Sequence, residues 1–265
     1  MSRAVQLIPK LEYLVTLGTV LRFQRRPQEA FEAFDKAAQL KPDAVELWRS
    51  RGDLLLELKR PAEALLSFQR VLQLNPQHWE AALKSGVLLH EEGRLEEALS
   101  CFNLCDELQP NQAPTLRSRG RSLSVLGRLN EAMADYMRAH ALDSSDAANC
   151  ANIGGILQSL DRNDEALPWL DEALRLQPDL PDALRNKAVW LRDHRRFDEA
   201  FAIYERLKAL DPGNAKAEWN LSHLYLLTGN LEAGWAAREA RWKVPGLPLA
   251  RFEPPQPIWL GQECI

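Results

Sequence analysis

Apolar residues recur along the chain in two alternating stripes at helical spacing. Leu14, Leu17, Gly18 and Leu21 stand at i, i+3, i+4 and i+7, which places them on one face of a helix. Nine residues on, Ala30, Phe34 and Ala37 mark a second such face. The pair of stripes then returns every 34 residues without insertion. The second stripe is most legible as a phrase: "RPQEAFEAF" (26–34), "RPAEALLSF" (60–68), "RLEEALSCF" (94–102), "RLNEAMADY" (128–136), "RNDEALPWL" (162–170) and "RFDEAFAIY" (196–204). The pattern predicts two helices per unit and no strands, with units starting at 11, 45, 79, 113, 147, 181 and 215.

Small residues hold fixed places in the unit. Position 8 carries Gly18, Gly52, Gly86, Gly120 and Gly154, then Ala188 and Ser222. Position 20 carries Ala30, Ala64, Ala98, Ala132, Ala166 and Ala200. Position 32 is Pro42, Pro76, Pro110, Pro178 and Pro212, with Ser144 the exception; proline there ends the second helix. These residues resemble the tetratricopeptide repeat. The resemblance implies an all-α, right-handed superhelical solenoid of about seven helix-turn-helix units spanning 11–243. Residues 1–10 are read as an N-terminal cap and 244–265 as a proline-rich extended tail or linker.

The recurring Arg lies where each first helix should end, a pole that favours cations. The Glu three residues on falls in the first turn of the second helix, which favours anions. The phrase is therefore architecture, helped by Pro27 and Pro61 at a first helical position. Pro168 should kink or loosen the second helix of the fifth unit. In the seventh, Gly234 and Arg238 replace the usual alanine and aromatic, so that unit should pack differently.

The resemblance also implies that first helices line a concave groove through positions 2, 5, 6, 9, 12 and 13. At position 6, Asn152, Asn186 and Asn220 would set side-chain amides one repeat apart, able to bond an extended peptide backbone. At position 5, Arg49 has Glu46 and Asp53 within a turn and Arg185 has Asp182, so both should be neutralised on their own helices. Arg117 shares its face with Arg121 and no acid of that helix. Lys84, Arg117, Arg121 and Asn152 form the candidate spot for a carboxylate or acidic ligand. Trp219, with His223 beside Asn220, is the candidate aromatic platform. The carboxylate clamp of chaperone-binding repeats needs Lys at position 5 and Asn at 9 in one unit, and no unit has both.

Composition narrows the rest. A net charge of −4 gives no global pull toward nucleic acid or anionic membranes, and no apolar run would span a bilayer. Four cysteines without zinc spacing fit reduced thiols in the cytoplasm. No phosphate loop, nucleophile elbow or HExxH motif occurs, so no catalysis, cofactor or metal is expected. The expected function is a non-catalytic scaffold that holds an extended peptide or partner helix; the atypical ends are candidates for pairing between copies. An alternative rests on "PIWLG" (257–261), which with residues 219–243 resembles the join of repeats to catalytic domain in bacterial glycosyltransferases: a substrate-recruiting region without its enzyme.

Overall fold

The structure is a computed structural model and describes residues 2–244, with side chains from Lys10 onward. The tail and its "PIWLG" segment lie outside the described residues. All regular structure among the described residues is helical. First helices are α1 (Ser2–Phe23), α3 (Val45–Glu57), α5 (Trp79–Glu91), α7 (Ala113–Val125), α9 (Ala147–Ser159), α11 (Pro181–Asp193) and α13 (Ala215–Leu227). Second helices are α2 (Pro27–Leu40), α4 (Pro61–Leu74), α6 (Leu95–Leu108), α8 (Leu129–Leu142), α10 (Asn163–Leu176), α12 (Phe197–Leu210) and α14 (Leu231–Arg238), the last followed by a 3-10 turn (Glu239–Lys243). The chain divides at Asn149/Cys150, inside α9, into two compact halves. Within each half the helices pair as hairpins that stack in chain order, as the 34-residue period predicts.

The hairpin is closed by a ring seated on a glycine. A Cβ on Gly18, Gly52 or Gly86 would lie 2.6–2.7 Å from Phe34, Phe68 or Phe102, and one on Gly154 would lie 2.6 Å from Leu170. Position-20 alanines are sealed beside these contacts, each at 0% exposure from Ala30 to Ala200. A leucine in such a site would cost about 1–3 kcal/mol. The seventh unit does pack differently, by exchanging the roles of its helices. Gly234 of α14 is now the socket, and a Cβ there would lie 2.6 Å from Leu226 of α13.

Each first helix ends in a left-handed residue: Arg25, Lys59, Gly93, Gly127, Asp161, Arg195 and Gly229, with φ between 56° and 83°. The N–H of the next residue reaches back to the carbonyl five before it, as from Arg60 to Leu55 at 2.8 Å and Arg94 to Leu89 at 2.9 Å. The recurring Arg thus caps the second helix, and its guanidinium forks onto the Glu of the first turn. All six pairs, Arg26–Glu29 to Arg196–Glu199, measure 2.5–2.8 Å. Each of these glutamates stands in the first turn of its helix, as the dipole reading expects, and the bidentate ion pair adds a second reason for the phrase.

Pro168 does not interrupt α10, which runs unbroken over 163–176. Its ring is exposed, while Ala166, Leu170 and Ala173 on the opposite face are fully buried. Packing of that face holds the helix across the lost hydrogen bond. Where Ser144 stands in place of proline, Asp143 holds the turn by accepting from the N–H and Oγ of Ser145 at 3.0 and 2.7 Å.

Candidate protein-binding face

In the first half, consecutive first helices are tied along one face by side chains mostly at positions 6, 9, 12 and 13. Arg22 of α1 bonds Glu57 of α3 at 2.8 Å, and Lys84 of α5 reaches back to Asp53 of α3 at 2.5 Å. Nδ1 of His90 on α5 lies 2.9 Å from Ser122 Oγ on α7. Burial, and after it the charge of Arg121, hold the His90 imidazole below its ordinary pKa. It is a neutral hydrogen-bonding link between helices at pH 7.

The basic residues singled out from sequence divide sharply. Arg49 is neutralised by Glu46 at 2.7 Å and Asp53 at 3.4 Å on its own helix, as expected. Lys84 also sits 5.4 Å over the ring of Phe68. Arg117 pairs with Asp146, which lies 29 residues on at the entrance to α9. Its Nε is buried with no hydrogen-bond partner. Arg121 alone of the four is exposed, and among the described residues no carboxylate lies within ion-pair reach of it. Val87, at the same position of α5 one unit earlier, and Val125, one turn further along α7, are apolar and open to solvent.

In the second half the asparagine register is not uniform. Nδ2 of Asn186 approaches the carbonyl of Ala151 at 3.5 Å and rests over Gly155, where a Cβ would lie 2.9 Å away. Gln158 donates to the Asn186 carbonyl at 2.9 Å. Asn186 is thus committed to the helix before it, whereas Asn152 and Asn220 are half-buried without a side-chain partner among the described residues. Trp219 meets His223 edge-on at 4.6 Å. The guanidinium of Arg238 lies 5.0 Å over Trp219 and 5.5 Å over Trp235, so a cation already covers part of the platform. Arg185 pairs with Asp182 at 2.7 Å, as expected.

One network escaped the sequence reading. Arg119 forks onto Asp135 at 2.7 and 2.8 Å and also reaches Asp106 at 3.2 Å, with all three largely buried. Arg51 bonds Asp35 at 2.7 Å in the equivalent place, and Lys187 bonds Asp171 at 2.6 Å. The signal was a 68-residue alternation laid over the 34-residue one. Positions 5 and 7 are both cationic in the second, fourth and sixth units, as in "LWRSRG" (47–52) and "TLRSRG" (115–120). A cleft of about 450 Å³ beside Arg119, bordered by Glu96, Ser100, Asn103, Arg128 and Glu131, has its other guanidinium paired too, Arg128 with Glu131. No metal-binding cluster occurs among the described residues, and no helix there is long and apolar enough to cross a membrane.

Comparison with known proteins agrees with this geometry. The tetratricopeptide repeat profile matches residues 15–78 and 156–215, and a second profile of the same repeat matches 55–118, together more than half of the chain. No curated protein sequence matches it. Among solved structures, a tetratricopeptide repeat protein from Parabacteroides merdae ATCC 43184 superposes with a TM-score of 0.74 at 16% identity, covering 88% of this chain and 93% of that one. YrrB, described as a repeat protein with an unusual peptide-binding site, gives 0.57 at 20% identity over 71% and 96%. MamA 41-end from Desulfovibrio magneticus RS-1 gives 0.61 at 19% identity over 64% and 97%. At such identities the likeness is one of fold. The chain belongs to the tetratricopeptide repeat family, whose members hold other proteins.

Proposed function

We propose that this chain is a non-catalytic scaffold whose first-helix faces hold an extended peptide or partner helix with an acidic residue. The observation that carries the reading is Arg121, an exposed cation without a counter-ion among the described residues, flanked by the exposed side chains of Val87 and Val125. Apolar side chains of the ligand would supply the burial, and a carboxylate would supply the partner that Arg121 lacks. Lys84, Arg117 and Arg49 are already paired with carboxylates, so their part is to hold the first helices in place while Arg121 makes the open charge contact. In the second half, Asn152, Asn220 and Trp219 are the groups proposed to contact ligand, with Asn186 aligning its helix. Cytoplasmic residence fits Cys101 and Cys105, a helical turn apart as free thiols. A substrate-recruiting role beside a glycosyltransferase would use the same faces; it rests on the sequence of the tail alone.

The test is selection from a displayed peptide library on wild type and on Arg121→Glu. Wild type should enrich a fixed acidic position that Arg121→Glu loses or replaces with a basic one. Identical peptides from both proteins, or none from either, would overturn the reading. Asn152→Ala with Asn220→Ala should weaken the selected peptides without lowering the melting temperature.

A further inference from the structure

Interior junctions between units follow one register. At position 10, Trp190 donates from Nε1 to the carbonyl of Asn163, position 17 of the unit before, at 2.9 Å. Position 21 is covered from positions 7 and 11: the Arg51 guanidinium lies 5.2 Å over Phe31, and Tyr225 lies 5.2 Å from Phe201. Position 3 meets position 27, with Thr115 Oγ1 at 3.2 Å from Cys105 Sγ. Positions 3 and 10 are accordingly sealed in the second to seventh units, from Leu47 and Leu54 to Ala217 and Leu224, at no more than 8% exposure.

The first and last units break this rule in complementary ways. On α1 the same two positions are Tyr13 and Val20, 64% and 46% exposed. At the other end, positions 17 and 21 are Leu231 and Trp235, both 59% exposed, whereas position 21 is buried as Phe31, Leu65 and Leu99 and partly covered as Met133, Leu167 and Phe201. Repeat stacks need polar outer faces at their ends, and both ends here are apolar. One carries the upper half of a repeat junction and the other the lower half.

We propose that the occupant of each open face is a second copy of this chain, with α1 of one molecule seated on α14 of the next as a further repeat would be. The register sets the contacts: Val20 on Leu231, Leu17 over Trp235, and the Tyr13 ring against Arg241, which already stacks 4.6 Å from Trp242. Such an interface is head-to-tail, so molecules add end to end and the mass grows with concentration.

Light scattering of the full chain over a concentration series tests this. Wild type should grow beyond a dimer, whereas Tyr13→Glu/Val20→Glu and Leu231→Glu/Trp235→Glu should each stay monomeric with unchanged helicity. Mixed together, the two variants each keep one good face, and the mixture should form a dimer and stop there. Should a glutamate variant fail to fold, Val20→Cys mixed with Leu231→Cys should give a disulfide-linked dimer that neither gives alone. A wild type that is monomeric throughout, assembly that survives either variant, or a mixture that forms neither dimer nor cross-link would overturn the proposal. So would a 1–244 truncation that assembles while the full chain does not, since the tail would then be the occupant.

Discussion

Gly86→Ala is the most informative single change. The new Cβ would stand 2.6 Å from Cε1, 2.9 Å from Cδ1 and 3.0 Å from Cζ of Phe102, a ring with no exposed surface and nowhere to turn. Overpacking of this kind costs about 1–3 kcal/mol. Replacing glycine inside a helix by alanine returns about 1 kcal/mol of propensity. The net expectation is a loss of about 1 kcal/mol, or roughly 2–4 °C of melting temperature for a chain of this size. A double-mutant cycle separates the two terms. Phe102→Ala alone should lose about 3–5 kcal/mol. In that background the ring is gone, so Gly86→Ala should become stabilising by about 1 kcal/mol. Urea denaturation of the four proteins gives the coupling. A Gly86→Ala protein more stable than wild type, or one with the same effect in both backgrounds, would refute the ring-on-glycine account.

Further outcomes follow from the same structure. Lys59→Gly should raise stability by about 1 kcal/mol, because Lys59 is held at φ 57° where a Cβ is strained; unchanged thermal unfolding would count against the turn geometry. Arg119→Ala should cost about 1–3 kcal/mol, because it removes the forked partner of Asp135 and leaves Asp135 and Asp106 only the longer ion pairs to Arg138 at 3.9 and 3.5 Å, whereas more exposed pairs such as Arg49 with Glu46 should cost about 0.2–1 kcal/mol when cut; equal losses would contradict the assigned burial. Hydrogen bonds from the capping arginines hold Glu63, Glu97, Glu131, Glu165 and Glu199 below the ordinary glutamate pKa of 4.5. A depressed folded pKa contributes stability that is complete above pH 4.5 and fades as pH falls through the lower folded values. Melting temperature should therefore decline below pH 4.5, and less steeply in Arg60→Gln/Arg94→Gln/Arg128→Gln than in wild type.

The fold was legible because its determinants are local and periodic. Gly86 and Phe102 stand sixteen residues apart, as do their counterparts in the other units, so the seat of each ring could be read from spacing. The exchange of roles in the seventh unit was signalled by Gly234, but not that Leu226 would fill it, since that depends on which helix supplies the knob. The candidate site was less legible because charge partners cross units. Along α7 alone Arg117 and Arg121 look alike; only the stacked structure gives Arg117 its Asp146 and leaves Arg121 without a counter-ion. Asn186 likewise differs from Asn152 and Asn220 through Gly155 on the preceding helix, a neighbour 31 positions away in sequence.

The claim at the centre is that first helices, and Arg121 among them, face a ligand while second helices only build the stack. Hydrogen–deuterium exchange on the protein with and without a library-selected acidic peptide tests it most directly. Added protection should concentrate in α5 and α7, around 84–91 and 117–125, with α6 and α8 unchanged. Protection confined to α6 and α8, or equal in wild type and Arg121→Glu, would contradict it.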